Sequence, residues 1–115
     1  MAEPKILKDP LYLLLRQGHI AEFNKRRLNG ENVDLSGCDF RGLDLRGIEA
    51  DGLDLTGGYF RNADLRGIDL RQCKLEGASF AGARISGCYF PNEIDAAEIA
   101  LSIANGTRVR YAAKS

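Results

Sequence analysis

From Val33 to Asn92 the chain repeats itself every five residues. Twelve blocks follow one another: VDLSG, CDFRG, LDLRG, IEADG, LDLTG, GYFRN, ADLRG, IDLRQ, CKLEG, ASFAG, ARISG and CYFPN. The third position holds Leu35, Phe40, Leu45, Ala50, Leu55, Phe60, Leu65, Leu70, Leu75, Phe80, Ile85 and Phe90, and the fifth is Gly or Asn except at Gln72. A helix has a period of 3.6 and a strand a period of 2, so neither element explains a strict five. A fixed short period marks an architecture in which repeats stack along one axis and bury one continuous core.

Within a block the large apolar third residue and the smaller first residue (Val33, Cys38, Leu43, Ile48 and their successors) are expected to point inward. The second, fourth and fifth are polar or Gly and are expected to point outward. Gly at position five suits a corner with positive φ, as the third residue of a type II turn requires. Asn62 and Asn92 meet the same need, because Asn tolerates the left-handed region.

The flanks do not repeat. Residues 1–32 read as a helical N-terminal cap. Asp9 and Pro10 form a helix start, Leu11, Leu14 and Leu15 follow at helical spacing, and Gly18 ends the helix. A second helix is expected over His19 to Leu28, with Ile20, Phe23 and Leu28 on one face and Asn29-Gly30 closing it. Residues 93–115 read as a helix from Glu93 to Ala104, with Ile94, Ala97, Leu101 and Ala104 on one face. The alternation of Thr107, Val109 and Tyr111 against Arg108 and Arg110 suggests a short strand.

Blocks such as ADLRG, LDLRG and IDLRQ resemble the loose A-(D/N)-L-x-x motif of the pentapeptide repeat family. Ile20, Glu22, Phe23 and Asn24 are similar to the N-terminal cap of many such proteins. The resemblance implies an all-β solenoid, a right-handed quadrilateral β-helix of about three coils, with short α-helical caps at both ends. Four blocks would make one coil, so residues twenty apart would stack. Phe40, Phe60 and Phe80 would form one internal ladder. Leu35, Leu55 and Leu75 would form a second, Leu45, Leu65 and Ile85 a third, and Ala50, Leu70 and Phe90 a fourth. The expected interior is packed, without a ligand channel.

Little in the sequence points to chemistry. His19 is the lone histidine, with no nucleophile pattern around it. Cys38, Cys73 and Cys88 occupy first positions on three different faces, which makes them small core residues and not a metal set. Their odd number rules out a fully paired framework and suits a reducing, cytoplasmic setting. The glycines have corner spacing, not phosphate-loop spacing. No catalytic residue, metal or cofactor is expected. Sixteen basic residues balance sixteen acidic ones, which argues against direct nucleic-acid binding through bulk charge. No apolar run reaches membrane-spanning length.

Two surfaces stand out. Arg41, Arg46, Arg61, Arg66 and Arg71 all occupy fourth positions, where they would form a patch for an acidic protein partner. Asp39, Asp44, Asp64 and Asp69 lie two residues before four of them, so self-paired ladders are the competing reading. Ile94, Leu101, Val109 and Tyr111 would form either a cap or a homodimer surface. The expected function is a non-enzymatic protein-interaction or structural module. The alternative, carried by the family resemblance, is a DNA-mimic regulator of type II topoisomerase (gyrase) related to quinolone resistance proteins. The arginines and the small number of coils depart from that pattern.

Overall fold

The structure is a computed structural model that describes residues 3–112. Its helices are α1 (Pro10–Arg16), α2 (Ile20–Leu28) and α3 (Ala96–Asn105). The outermost residues of the two expected caps, 1–2 and 113–115, lie outside the described part.

Between the helices the chain turns a corner at each block boundary and returns on itself every twenty residues. Parallel bridges join Asp39 to Tyr59, Tyr59 to Ser79, Asp44 to Asp64, Asp64 to Arg84, Asp54 to Lys74 and Asp69 to Tyr89. Backbone bonds of one register lock these tiers (33–52, 53–72 and 73–92) together. Phe40 N–H donates to Tyr59 C=O at 2.8 Å, and Tyr59 N–H donates to Cys38 C=O at 3.0 Å. Each side of a tier is one block long, and much of a block is corner. The bridges are therefore isolated, and among the described residues none lengthens into a strand. The expected all-β content thus takes the form of single bridges between turns.

The corners follow from the fifth residue. In the first, Cys38 N–H donates to Leu35 C=O at 3.2 Å, and Gly37 between them has φ 68°. That places positive φ at the third turn residue, as in type II. Asn62 takes the same conformation at φ 59°. Asn92, expected to do likewise, does not, because the chain leaves the repeat there and Ile94 N–H donates to Pro91 C=O at 3.1 Å. The Gln72 corner keeps its bond from Cys73 N–H to Leu70 C=O at 3.1 Å without positive φ.

The core matches the expected phasing. The rings of Phe40 and Phe60 stack 4.9 Å apart at 11°, and those of Phe60 and Phe80 5.2 Å apart at 12°. The leucine ladders are buried through the first two tiers, while Ile85 and Phe90 in the last are only half-buried. An internal void of about 20 Å³ is lined entirely by apolar side chains, which offer no partner to a water.

Both ends of the stack present unpaired backbone, and the flanks cover most of it. At the N-terminal end Lys5 adds a parallel bridge to Cys38. Asp9 caps α1 by accepting from Leu11 N–H at 2.8 Å, with Pro10 at its first position. Tyr12 of α1 is fully buried, meets Phe40 edge-on at 6.0 Å and donates its hydroxyl to Asp39 C=O at 2.7 Å. The Asn24 amide of α2 takes the place of a missing strand. It donates to Gly47 C=O and accepts from Glu49 N–H, both at 2.9 Å. Arg27 donates to Glu49 C=O at 2.8 Å and to Asp51 C=O at 3.1 Å. Leu28, expected on the buried face with Phe23, is 88% exposed, because the last turn of α2 runs past the edge of the tier.

At the other end α3 begins at Ala96, later than expected, and the face it buries differs from the expected one. Ile99 and Ser102 are buried, whereas Ala97, Leu101 and Ala104 point outward. Ser102 fixes that orientation: its Oγ accepts from Phe80 N–H at 2.8 Å and donates to Thr107 C=O at 2.6 Å. The expected strand is one antiparallel bridge, Arg108 to Ser79. Val109 continues the ladder, accepting from Gly77 N–H and donating to Ala78 C=O, both at 2.8 Å.

Candidate functional site

Position two is an acidic cap for its own corner, a role the sequence reading missed. Asp34 Oδ1 accepts from Ser36 N–H at 2.9 Å and Asp54 Oδ1 from Thr56 N–H at 3.0 Å. This local side-chain bond holds the turn that follows, as aspartate does in Asx turns. Where position four is arginine, the same carboxylate also takes the guanidinium. Asp39 is forked by Arg41 at 2.9 and 2.8 Å, and Asp69 by Arg71 at 3.0 and 2.8 Å. Asp44 with Arg46 and Asp64 with Arg66 repeat the arrangement, with closest approaches of 2.7 Å. Arg46 also reaches Asp64 in the tier above at 3.3 Å.

Four of the five predicted arginines are therefore neutralised within their own blocks. The fork lowers all four carboxyls: bonding to Arg66 and Arg71 brings Asp64 and Asp69 to about 2, from an ordinary 3.8. Asp39 and Asp44 are lowered for the same reason. Near pH 3 the unfolded chain binds more protons than the folded one. The contribution of these groups is thus full above 3.8 and lost as pH falls through about 2. The melting temperature, followed by circular dichroism, should fall between pH 4 and pH 2, and the fall should be shallower in Asp64→Asn. A flat profile in the parent protein would contradict the assignment.

Arg61 is the exception. Its block, GYFRN, carries Tyr59 where the others carry Asp, and Arg61 has no ion-pair partner among the described residues. Arg108, which the sequence reading had not singled out, comes to the same place. Its guanidinium stacks over the Tyr59 ring at 5.1 Å, and donates to the Tyr59 hydroxyl at 2.8 Å and to Gly77 C=O at 3.0 Å. Arg41, Arg61 and Arg108 line one concavity of about 320 Å³, together with Ser79, Ala81 and Asn105. Among the described residues no carboxylate lines it.

The expected cap or dimer surface divides. Ile94 and Val109 are buried in this chain's own core. Tyr111 is half-buried, its hydroxyl accepting from Leu75 N–H at 3.0 Å and its N–H donating to Glu76 at 2.7 Å. Val109 and Tyr111 cap the side of the last tier that begins at Leu75, while Ile94 lines a concavity with Ile85, Cys88 and Phe90. Leu101 is 41% exposed. The sides formed by residues 83–90 are uncovered: the amides of Ile85, Gly87 and Phe90 have no hydrogen-bond partner among the described residues. His19 sits before α2 without a capping bond. Burial pushes the thiols of Cys38 and Cys73 up to about 11 and that of Cys88 to about 12. No group of His, Cys, Asp or Glu among the described residues is placed to hold a metal ion.

A family model described as pentapeptide repeats matches residues 31–67 and 54–92, in eight copies. No curated protein and no solved structure matches the chain.

Proposed function

Because the chain belongs to the pentapeptide repeat family, we propose that it is a non-enzymatic module that displays side chains to a protein partner from a right-handed quadrilateral β-helix. The observation that carries this reading is the division of labour within the block. Position-three side chains are turned onto one another in the core, and the tiers are joined by backbone bonds at each level. Such a backbone holds its outward side chains in fixed rows at tier spacing, which reduces the ordering cost of docking. A DNA-mimic role toward gyrase would need a strongly negative face. Here the shaft's Asp39, Asp44, Asp64 and Asp69 are each held by an arginine.

The proposal includes a homodimer through the uncovered C-terminal end. An open edge of unpaired amides beside half-buried Ile85, Cys88 and Phe90 is suited to pairing with its own copy about a two-fold axis. Ala96, Ile99 and Ala100 of α3 line the same concavity as those three and extend that apolar surface. The test is affinity capture from the native cell, with two differently tagged copies expressed together. One tag is expected to bring down the other copy and a discrete protein partner. Recovery of the tagged chain alone would overturn both parts of the reading.

A further inference from the structure

We propose that the groove between Arg61 and Arg108 is a carboxylate-binding site, which takes an aspartate or glutamate side chain of an acidic peptide segment. The proposal rests on the interaction-module reading and names the chemistry of one partner contact.

The groove is set apart by what its arginines lack. Across the repeat, an arginine at position four meets an aspartate at position two of its own block, and the fork closes on itself. In the block 58–62 that aspartate is replaced by Tyr59, so Arg61 keeps its five donors for something else. The column around it leaves space for a ligand. Arg41 lies one tier below, already bonded to Asp39, and Ala81 lies one tier above with only a methyl group. Asn105 and Gly106, at the end of α3, wall the upper side.

Arg108 completes the site from the opposite wall. It arrives there because Val109 pairs antiparallel with Gly77 and Ala78, which fixes the backbone on either side of it. Two of its nitrogens are held by Gly77 C=O and the Tyr59 hydroxyl, and its plane rests on the Tyr59 ring. Neither bond neutralises it, so the guanidinium is oriented while its charge remains uncompensated. Two such cations, with no carboxylate among the described lining residues, form a local positive potential on a chain whose net charge is zero.

The shape favours a carboxylate over a phosphate backbone. A planar guanidinium matches a planar carboxylate in a two-bond fork, the geometry that Arg41, Arg46, Arg66 and Arg71 already use within the repeat. A nucleic acid presents a line of phosphates. Beyond this groove such a line would meet Arg46, Arg66 and Arg71, each already covered by its own aspartate.

The test is fluorescence anisotropy of a labelled hexaglutamate peptide against the full chain, at a fixed low salt concentration. Arg61→Gln and Arg108→Gln are each expected to weaken binding roughly tenfold, the loss expected for one charge-assisted bond. Arg46→Gln removes the same charge from a self-paired block and is expected to leave affinity within about twofold, since exposed pairs contribute little. Tyr59→Asp retains all the arginines but gives Arg61 a carboxylate of its own and removes Arg108's platform, so it should weaken binding as much as Arg61→Gln. Melting temperatures of all four variants separate loss of the site from loss of the fold. Equal weakening by Arg46→Gln, no binding by the parent protein, or tighter binding of a short DNA duplex than of the peptide would each overturn the proposal. Those results would leave partner capture by the whole chain standing. Conversely, a failed capture alongside discrimination among these variants would remove the module reading and keep the site.

Discussion

Phe60→Ala should lower the unfolding free energy by about 3–5 kcal/mol. Phe60 is the middle ring of the ladder, 2% exposed, with a stacked neighbour on each side. Truncation removes its buried area and both ring contacts, each worth about 0.5–1.5 kcal/mol beyond burial. The neighbours have little freedom to collapse into the gap. Phe40 is held from below by Tyr12 at 6.0 Å and Phe80 within its own tier by Phe90 at 5.6 Å, both edge-on. The main chain at Phe60 is fixed as well, since its N–H donates to Ser79 C=O at 2.9 Å. A loss of several kcal/mol is a large share of the roughly 5–15 kcal/mol available to a domain. Urea unfolding followed by circular dichroism measures it, and a loss below about 1 kcal/mol would show that the ladder is not the centre of the core.

Gly58→Ala should cost about 1–3 kcal/mol through overpacking. Gly58 is an inward first-position residue, between Cys38 below and Ala78 above. Its φ is not positive, so the backbone tolerates a side chain there. The space does not: an added Cβ would lie 2.7 Å from Phe60 Cε2 and 3.0 Å from Leu55 O. The ring would have to swing out of a stack that continues on both sides. Phe60→Leu removes the conflicting ring edge, so the double variant should be less destabilised than the sum of its parts, by roughly 0.5–3 kcal/mol for residues in contact. Additive single effects in a denaturant double-mutant cycle would refute the steric explanation.

Most of the tier architecture is legible from the period alone, because one residue in five must be large and apolar and one must turn a corner. Leu35, Phe40, Leu55 and Phe80 could be placed without coordinates, and so could the Asp9-Pro10 helix start. The ends were harder to read. Nearly every side of α3 carries an apolar residue, and the position that decides its orientation is a serine. Ser102 is buried because two backbone groups of other segments converge on it, and helical periodicity carries no information about them. For the same reason Asn24 reads as an ordinary polar residue in α2 until its amide is seen bridging Gly47 and Glu49. The groove was half legible. Tyr59 in place of aspartate is visible in the block GYFRN, and it marks Arg61 as unlike its four companions. Arg108 lies 47 residues away in the chain (108 less 61), and only the antiparallel docking of the C-terminal segment brings it there.

The twenty-residue return also sets an order of assembly. Each bridge within the repeat joins residues one tier apart, so no tier must wait for a distant part of the chain before it can close. The first tier has its template from the outset: Lys5, Tyr12, Asn24 and Arg27 all bond to residues 37–51, so the floor is complete once that stretch has been made. A chain emerging from the ribosome N-terminus first can then wind upward, each tier using the backbone groups of the one below. The pairing separation within the repeat is fixed at one tier, so it does not grow as tiers are added. The upper edge is the last to be sealed, and until Ser102 and Val109 reach Phe80 and Ala78 it remains the growing end of an unfinished winding.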